Sequence, residues 1–335
     1  MIRPALAGLA AAALLATLAH AEGLASKDMA ARLELHPFQT VTLSDQKFLM
    51  GDESDAKPTT LGGELSIAQG SGRLPLVVLM HGSGGAGGNI EHWKRRLNAM
   101  GVSTFAIDGM TGRGFTGVGA NQASLGRLNF IMDIYRALDV LAKHPRVDPE
   151  RIALMGFSRG GQAALYASVE RFQRMWNKSG AQFAAYVAFY PDCATTYRDD
   201  AALVAKPIRI FHGTPDDYNP VASCKAFLAR LKDAKADVEL TEYPNAQHGF
   251  DNPLAANPAR PAATDQSVRE CRIRERDNGV LVNEATQQPF TYKDECVRVD
   301  VFYRHEDVII GRLGPTDKLS VRLTLATLGG PLYGR

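Results

Sequence analysis

Gly156-Phe157-Ser158-Arg159-Gly160 fits the pattern Gly-x-Ser-x-Gly. The pattern implies nucleophilic chemistry when a strand leads in and a helix leads out, because the sharp turn between them lifts the serine hydroxyl above the sheet. Here the segment Arg151 to Met155 predicts the strand, and Gln162 to Glu170 predicts the helix. Glycine suits positions 156 and 160, where a side chain would collide with the neighbouring elements. The N-terminus of the helix favours negative charge developing beside the serine. A serine hydroxyl is a weak nucleophile near neutral pH and needs a base. His248 is the expected base: it follows the apolar run Val238 to Tyr243 through the polar loop Pro244-Asn245-Ala246-Gln247. Strand ends of this kind are where a doubly wound sheet gathers its site. His212 competes, but reads as a packed polar residue at a strand end. His144 and His305 lack that context.

The base needs a carboxylate to fix its tautomer and stabilise its cationic form. Asp216, in Gly213-Thr214-Pro215-Asp216-Asp217, is the first choice, Asp217 the second, and Asp192 after Pro191 the third. A turn-forming role is the alternative for each. The oxyanion of an acyl-transfer transition state needs two N–H donors. The amide of Arg159 is one. The other is expected from His81-Gly82-Ser83-Gly84-Gly85, with Ser83 preferred over Gly84. His81 is expected to brace that turn by hydrogen bonds. The chain order Ser158, Asp216, His248 is the order of α/β-hydrolases.

The elements that must position these residues follow one another in alternation. Leu76 to Met80, Val102 to Ile107, Arg151 to Met155, Phe183 to Tyr190, Ile208 to His212 and Val238 to Tyr243 read as strands. Asn89 to Met100, Leu125 to Lys143, Gln162 to Glu170 and Ser223 to Lys235 read as helices. Strands alternating with helices predict a doubly wound, mostly parallel sheet with helices on both faces. Leu61 to Ala68 has strand-like alternation. Trp93 sits at core spacing. Arg113 and Arg159 are candidates for a substrate carboxylate, with a surface ion pair as the plainer role. Beyond Asn252 the alternation stops; Arg269 to Arg276 reads as a solvated charged face, and Leu319 to Leu325 as a strand.

The 335 residues carry 38 Lys plus Arg against 36 Asp plus Glu, a formal charge of +2, with 45% hydrophobic residues. That composition excludes a disordered chain and leaves no basic footprint for nucleic acid. Arg3, the apolar run Pro4 to Ala19 and the small residues around Ala21 read as a signal peptide over residues 1–21. Residues 22–335 are then expected to be a single exported domain near +1, periplasmic or secreted. Its core runs from about 61 to 250, its C-terminal segment 251–335 is atypical, and no membrane span remains. In an oxidising compartment the four cysteines predict disulfides. Proximity favours Cys193–Cys224 and Cys271–Cys296, each contributing roughly 3–4 kcal/mol by loop closure.

The motifs His81-Gly82-Ser83-Gly84-Gly85, Gly156-Phe157-Ser158-Arg159-Gly160-Gly161, Gly213-Thr214-Pro215-Asp216-Asp217 with Pro220, and His248-Gly249-Phe250 together resemble the dienelactone hydrolase family of α/β-hydrolases. The resemblance spans about Leu61 to Phe250. It implies a metal-free and cofactor-free hydrolase of ester, lactone or related acyl bonds in small molecules, with Ser158, Asp216 and His248 as its triad; the spacing to Pro220 favours Asp216 over Asp217. Founding members use a cysteine where this chain has Ser158, and the family's closing amphipathic helix has no counterpart here. A peptidase of the prolyl-oligopeptidase kind is the alternative enzyme, weakened by the absence of a propeller-length N-terminal domain. A binding protein that retains the fold is the alternative outside catalysis.

Overall fold

The computed structural model describes residues 29–232, 234, 236–252 and 264–299, and the backbone alone of 260–261 and 303–304. The expected signal peptide, the Leu319 to Leu325 strand and His305 lie outside the described residues. In chain order the first elements are β1 (Arg32–Thr42), α1 (Asp45–Met50), β2 (Lys57–Ile67), β3 (Leu74–Met80), α2 (Gly88–Ala99), β4 (Ser103–Asp108), α3 (Asn129–Leu141) and β5 (Val147–Phe157). They are followed by α4 (Arg159–Tyr166), α5 (Glu170–Trp176), β6 (Ala185–Phe189), β7 (Thr195–Thr196), β8 (Ile208–Gly213), α6 (Val221–Arg230) and β9 (Val238–Tyr243). Four short strands come last: β10 (Arg260–Pro261), β11 (Ile273–Glu275), β12 (Leu281–Asn283) and β13 (Tyr303–Arg304).

Eight strands form one sheet in the order β1-β2-β4-β3-β5-β6-β8-β9. From β4 to β9 every pair is parallel, while β1 and β2 run antiparallel at one edge. This is the α/β-hydrolase architecture, with the strand order reversing between β3 and β5. Ligands of doubly wound sheets bind beyond the carboxyl ends of the strands at such a reversal. The turns after β3 and β5 therefore share one crevice.

Strand β3 explains why the sheet is buried on both sides. Leu76, Val78 and Met80 point into one apolar cluster, and Val77 and Leu79 into another. The first cluster includes α3 and α4 residues such as Ile134, Leu138 and Leu165. The second holds Ile90, Trp93 and Leu97 of α2 against Phe157, Phe189 and Phe211. Each fully buried side chain of this size contributes roughly 1.5–3 kcal/mol, so the sheet is a rigid platform for the loops at its rim.

A smaller sheet, β12-β11-β7, attaches the C-terminal segment. The Arg269 to Arg276 run is a solvated face on one side only: Glu270, Arg272 and Arg276 are exposed, and the alternate residues turn inward. Ile273 is buried in a third apolar cluster, and Glu275 is buried beneath Arg171, which donates to both its oxygens at 2.9 and 2.7 Å. The paired guanidiniums of Arg171 and Arg198 allow a carboxylate to be buried there. Disulfides join Cys193 to Cys224 and Cys271 to Cys296, the pairing expected from proximity. No helix among the described residues is long and apolar enough to cross a membrane.

Candidate active site

Ser158 ends β5 and opens α4 with φ 55° and ψ −117°. Such backbone is costly for a residue with a side chain and persists only where the surroundings enforce it. The enforcement is close packing. A Cβ on Gly160 would lie 2.1 Å from the carbonyl oxygen of Met80 at the end of β3, so only glycine lets the helix start this near the neighbouring strand. The Ser158 amide donates to the Phe189 carbonyl at 3.0 Å, tying the turn to β6 as well.

The structure brings Ser158, His248 and Asp216 together. His248 Nε2 lies 2.9 Å from Ser158 Oγ, and His248 Nδ1 lies 2.9 Å from Asp216 Oδ2. A carboxylate accepts, so Nδ1 carries the hydrogen and Nε2 is left to accept from the serine hydroxyl. Asp216 Oδ1 accepts from the amides of Tyr218 and Asn219, each at 3.0 Å. That turn fixes the carboxylate plane. The His248 loop can reach β8 because residue 213 is glycine: a Cβ there would sit 1.8 Å from the Ala246 carbonyl oxygen. The imidazole is held between the rings of Tyr190 and Tyr218, each with its centroid 4.6 Å away.

One buried carboxyl anchors the loop from behind. Asp251 accepts from Trp93 Nε1 at 2.8 Å and from the Tyr190 hydroxyl. Burial raises its pKa against those donors. Trp93 thus belongs to the core, as its spacing suggests, and also steadies the His248 segment. His212 is wholly buried, with Nδ1 3.1 Å from the Gly213 carbonyl oxygen and 3.9 Å from Asp216 Oδ2. Burial lowers its pKa and favours the neutral ring. It packs under the acid and does not reach Ser158.

The turn after β3 closes over the serine. A Cβ on Gly82 would lie 3.2 Å from the Ser158 Cβ, which places the Gly82–Ser83 peptide against the nucleophile. The Ser83 carbonyl accepts from Val118 at 2.7 Å. His81 braces this turn: Nδ1 is 2.7 Å from the Gly82 carbonyl oxygen, and Nε2 accepts from the Gly109 amide at 3.0 Å. The Arg159 side chain lies buried, donating to Gln122 Oε1 at 2.9 Å and to the Leu125 carbonyl. Burial pulls its pKa down to about 10, so the guanidinium stays charged near neutrality. Arg113, the other arginine considered for a substrate carboxylate, instead faces inward and grips Asp133 through two bonds at 2.7 and 2.8 Å. Asp192, third among the candidate acids, pairs with Arg127.

A narrow polar cleft of about 10 Å³ lies at Ser158, bordered by Ser83, Gln122, Arg127, Tyr218 and Ser267. That volume holds one water molecule. Several of these residues carry no local signature in the sequence. Gln122 follows a Gly-rich loop, and Ser267 comes from the C-terminal segment. Ser267 Oγ donates to the Tyr218 carbonyl at 2.7 Å, and Gln266 Oε1 accepts from the Gln122 amide at 2.8 Å. These long-range contacts bring the segment over the cleft.

Comparison with known proteins bears on the family and the fold. A bifunctional acetylxylan esterase/xylanase of Neocallimastix patriciarum is 27% identical over 122 residues, which is 34% of this chain and 16% of that protein. The chain thus spans about a sixth of the curated relative it matches. A dienelactone hydrolase-like promiscuous phosphotriesterase from metagenomic libraries superposes with a TM-score of 0.52 at 23% identity, covering 67% of this chain and 87% of its own. A structure designated m3DLH gives 0.50 at 24% identity, covering 68% and 88%. Both likenesses concern the fold. The dienelactone hydrolase family model matches residues 63–272, more than half of the sequence. By that match the chain belongs to the dienelactone hydrolase family.

Proposed function

We propose that the protein is a serine hydrolase that cleaves carboxylic ester or lactone bonds through an acyl-enzyme. The observation that carries this reading is the relay of two 2.9 Å contacts from Ser158 through His248 to Asp216. Ser158 Oγ attacks the acyl carbon as its proton passes to His248 Nε2. Asp216 orients the imidazole and stabilises its cationic form. The amides of Arg159 and Ser83 hold the oxyanion. The tetrahedral adduct then expels the alcohol, which takes the proton from His248, and leaves the acyl group on Ser158. Water repeats the sequence and releases the acid. The 2.9 Å contact supports His248 as the proton acceptor.

Residues 22–335 act in this reading as one exported hydrolase unit. The two disulfides support a folding compartment that is oxidising. The acetylxylan esterase among the relatives adds acetyl esters of carbohydrates to the substrates worth assaying. A fluorophosphonate should label the folded protein at Ser158, as peptide mapping by mass spectrometry will show. Folded protein that stays unlabelled would rule out an activated serine. A panel of 4-nitrophenyl esters against peptide anilides separates esterase from peptidase.

A further inference from the structure

The cleft at Ser158 is narrow, about 10 Å³. A second cavity, of about 420 Å³, lies between the start of α1, the loop before α3, the β7 region and the C-terminal segment. It falls within the size range of small-molecule sites. The two spaces share the side chains of Gln122 and Arg127 as walls. Arg127 forms the partition: it donates to Asp192 on one side and to the Tyr292 hydroxyl on the other. Its guanidinium also stacks over the Tyr292 ring, 5.4 Å from the centroid.

We infer that this cavity is the specificity pocket of the hydrolase and takes a neutral aryl or branched alkyl group of the substrate. The inference rests on the serine-hydrolase reading above and deepens it. The walls fix the chemical class: Leu125, Leu281, Phe290 and Tyr292 give an apolar and aromatic lining. Such walls gain from a ring and gain little from a charged or sugar-like group. The volume suits a group on the order of ten non-hydrogen atoms. A group held there lies against Arg127 and Gln122, the walls the pocket shares with the cleft at Ser158. The C-terminal segment supplies Leu281, Phe290 and Tyr292 to these walls and so helps to set the substrate range of this chain.

The test uses the full protein and three esters: ethyl acetate, ethyl 3-phenylpropanoate and 2-naphthyl acetate. Leu281→Trp fills the pocket away from Ser158. It should raise KM about tenfold for the bulky ester whose ring occupies the pocket, relative to any change for ethyl acetate. Loss on ethyl 3-phenylpropanoate assigns the acyl side, and loss on 2-naphthyl acetate assigns the alcohol side. Should Leu281→Trp fail to fold, Phe290→Ala removes one wall and should raise the same KM severalfold. Binding without chemistry is read by calorimetry on Ser158→Ala, which should take up 3-phenylpropanoate or 2-naphthol. A folded Leu281→Trp enzyme with unaltered KM for both bulky esters overturns the inference, as does Ser158→Ala that binds neither product. Fluorophosphonate labelling that persists in those cases leaves the serine-hydrolase reading standing, and its absence in wild type overturns both.

Discussion

The hydrolase core and the C-terminal segment are stabilised by different means. The core packs two apolar clusters against a sheet buried on both faces. The segment has a small cluster around Val268, Cys271 and Ile273, and is fastened by the Cys271–Cys296 disulfide and by Glu275 under Arg171 and Arg198. The core fixes Ser158, His248 and Asp216. The segment supplies Ser267 to the cleft and Phe290 and Tyr292 to the cavity behind it. The proposed triad and the walls around it thus rest on separately stabilised parts, and one can be perturbed while the other stands.

The sharpest way to part them strikes the core's chemistry. Asp216→Asn keeps the shape of the side chain but presents an amide to His248, which favours the wrong tautomer. Ester turnover should drop about 10⁴-fold, with a thermal melt close to wild type. A loss below about tenfold would remove Asp216 from the mechanism. The next strike falls on the segment. Cys271→Ser with Cys296→Ser opens a loop of sequence separation 25 and should cost roughly 3 kcal/mol of local stability. Hydrogen exchange should quicken across 264–299 and stay slow in β3, β5 and β6. Uniform quickening would mean that the two parts unfold as one.

The smallest effect concerns the edge strand at the other end of the core. His144 lies just before β5 begins, at the opposite end of that strand from Ser158, and it shares Glu34 with His36. Glu34 Oε2 is 2.8 Å from His36 Nε2 and 3.1 Å from His144 Nε2. Partial burial works to raise the Glu34 pKa, but hydrogen bonds from Arg32, His36 and His144 outweigh it and hold the carboxyl at about 2. A lowered folded-state pKa stabilises fully above the unfolded value of 4.5 and is lost as pH falls toward about 2. Wild type should therefore melt slightly above Glu34→Gln near neutral pH, with the two curves meeting in strong acid. Curves that stay parallel down to about pH 2 would exclude this linkage.

Much of the core was legible because its strands are continuous apolar runs. Val238–Tyr243 emerges with the expected bounds, and β3, β4, β6 and β8 within about two residues. Strand β1 was not legible. It alternates Leu33 and Leu35, which face solvent, with Glu34 and His36, which face the sheet, so its polarity runs opposite to the usual pattern. The helix expected from Leu125 begins only at Asn129, because the Asn129 side chain accepts from the Leu43 amide and ties the preceding turn to another loop. Ser158, Asp216 and His248 could be singled out because strand-end position and residue type coincide. Gln122, Arg127 and Ser267 could not, since contacts across 39 to 65 residues place them. The third-cluster burial of Ile273 and the pairing of Glu275 were hidden by the charges around them.

The bond between Cys193 and Cys224 encircles β8 and the turn that carries Asp216. A protease that nicks the backbone once inside this ring therefore yields two fragments that migrate together until a reductant is added. Wherever the cut falls, Asp216 stays joined to the rest of the chain through backbone on one side or the disulfide on the other.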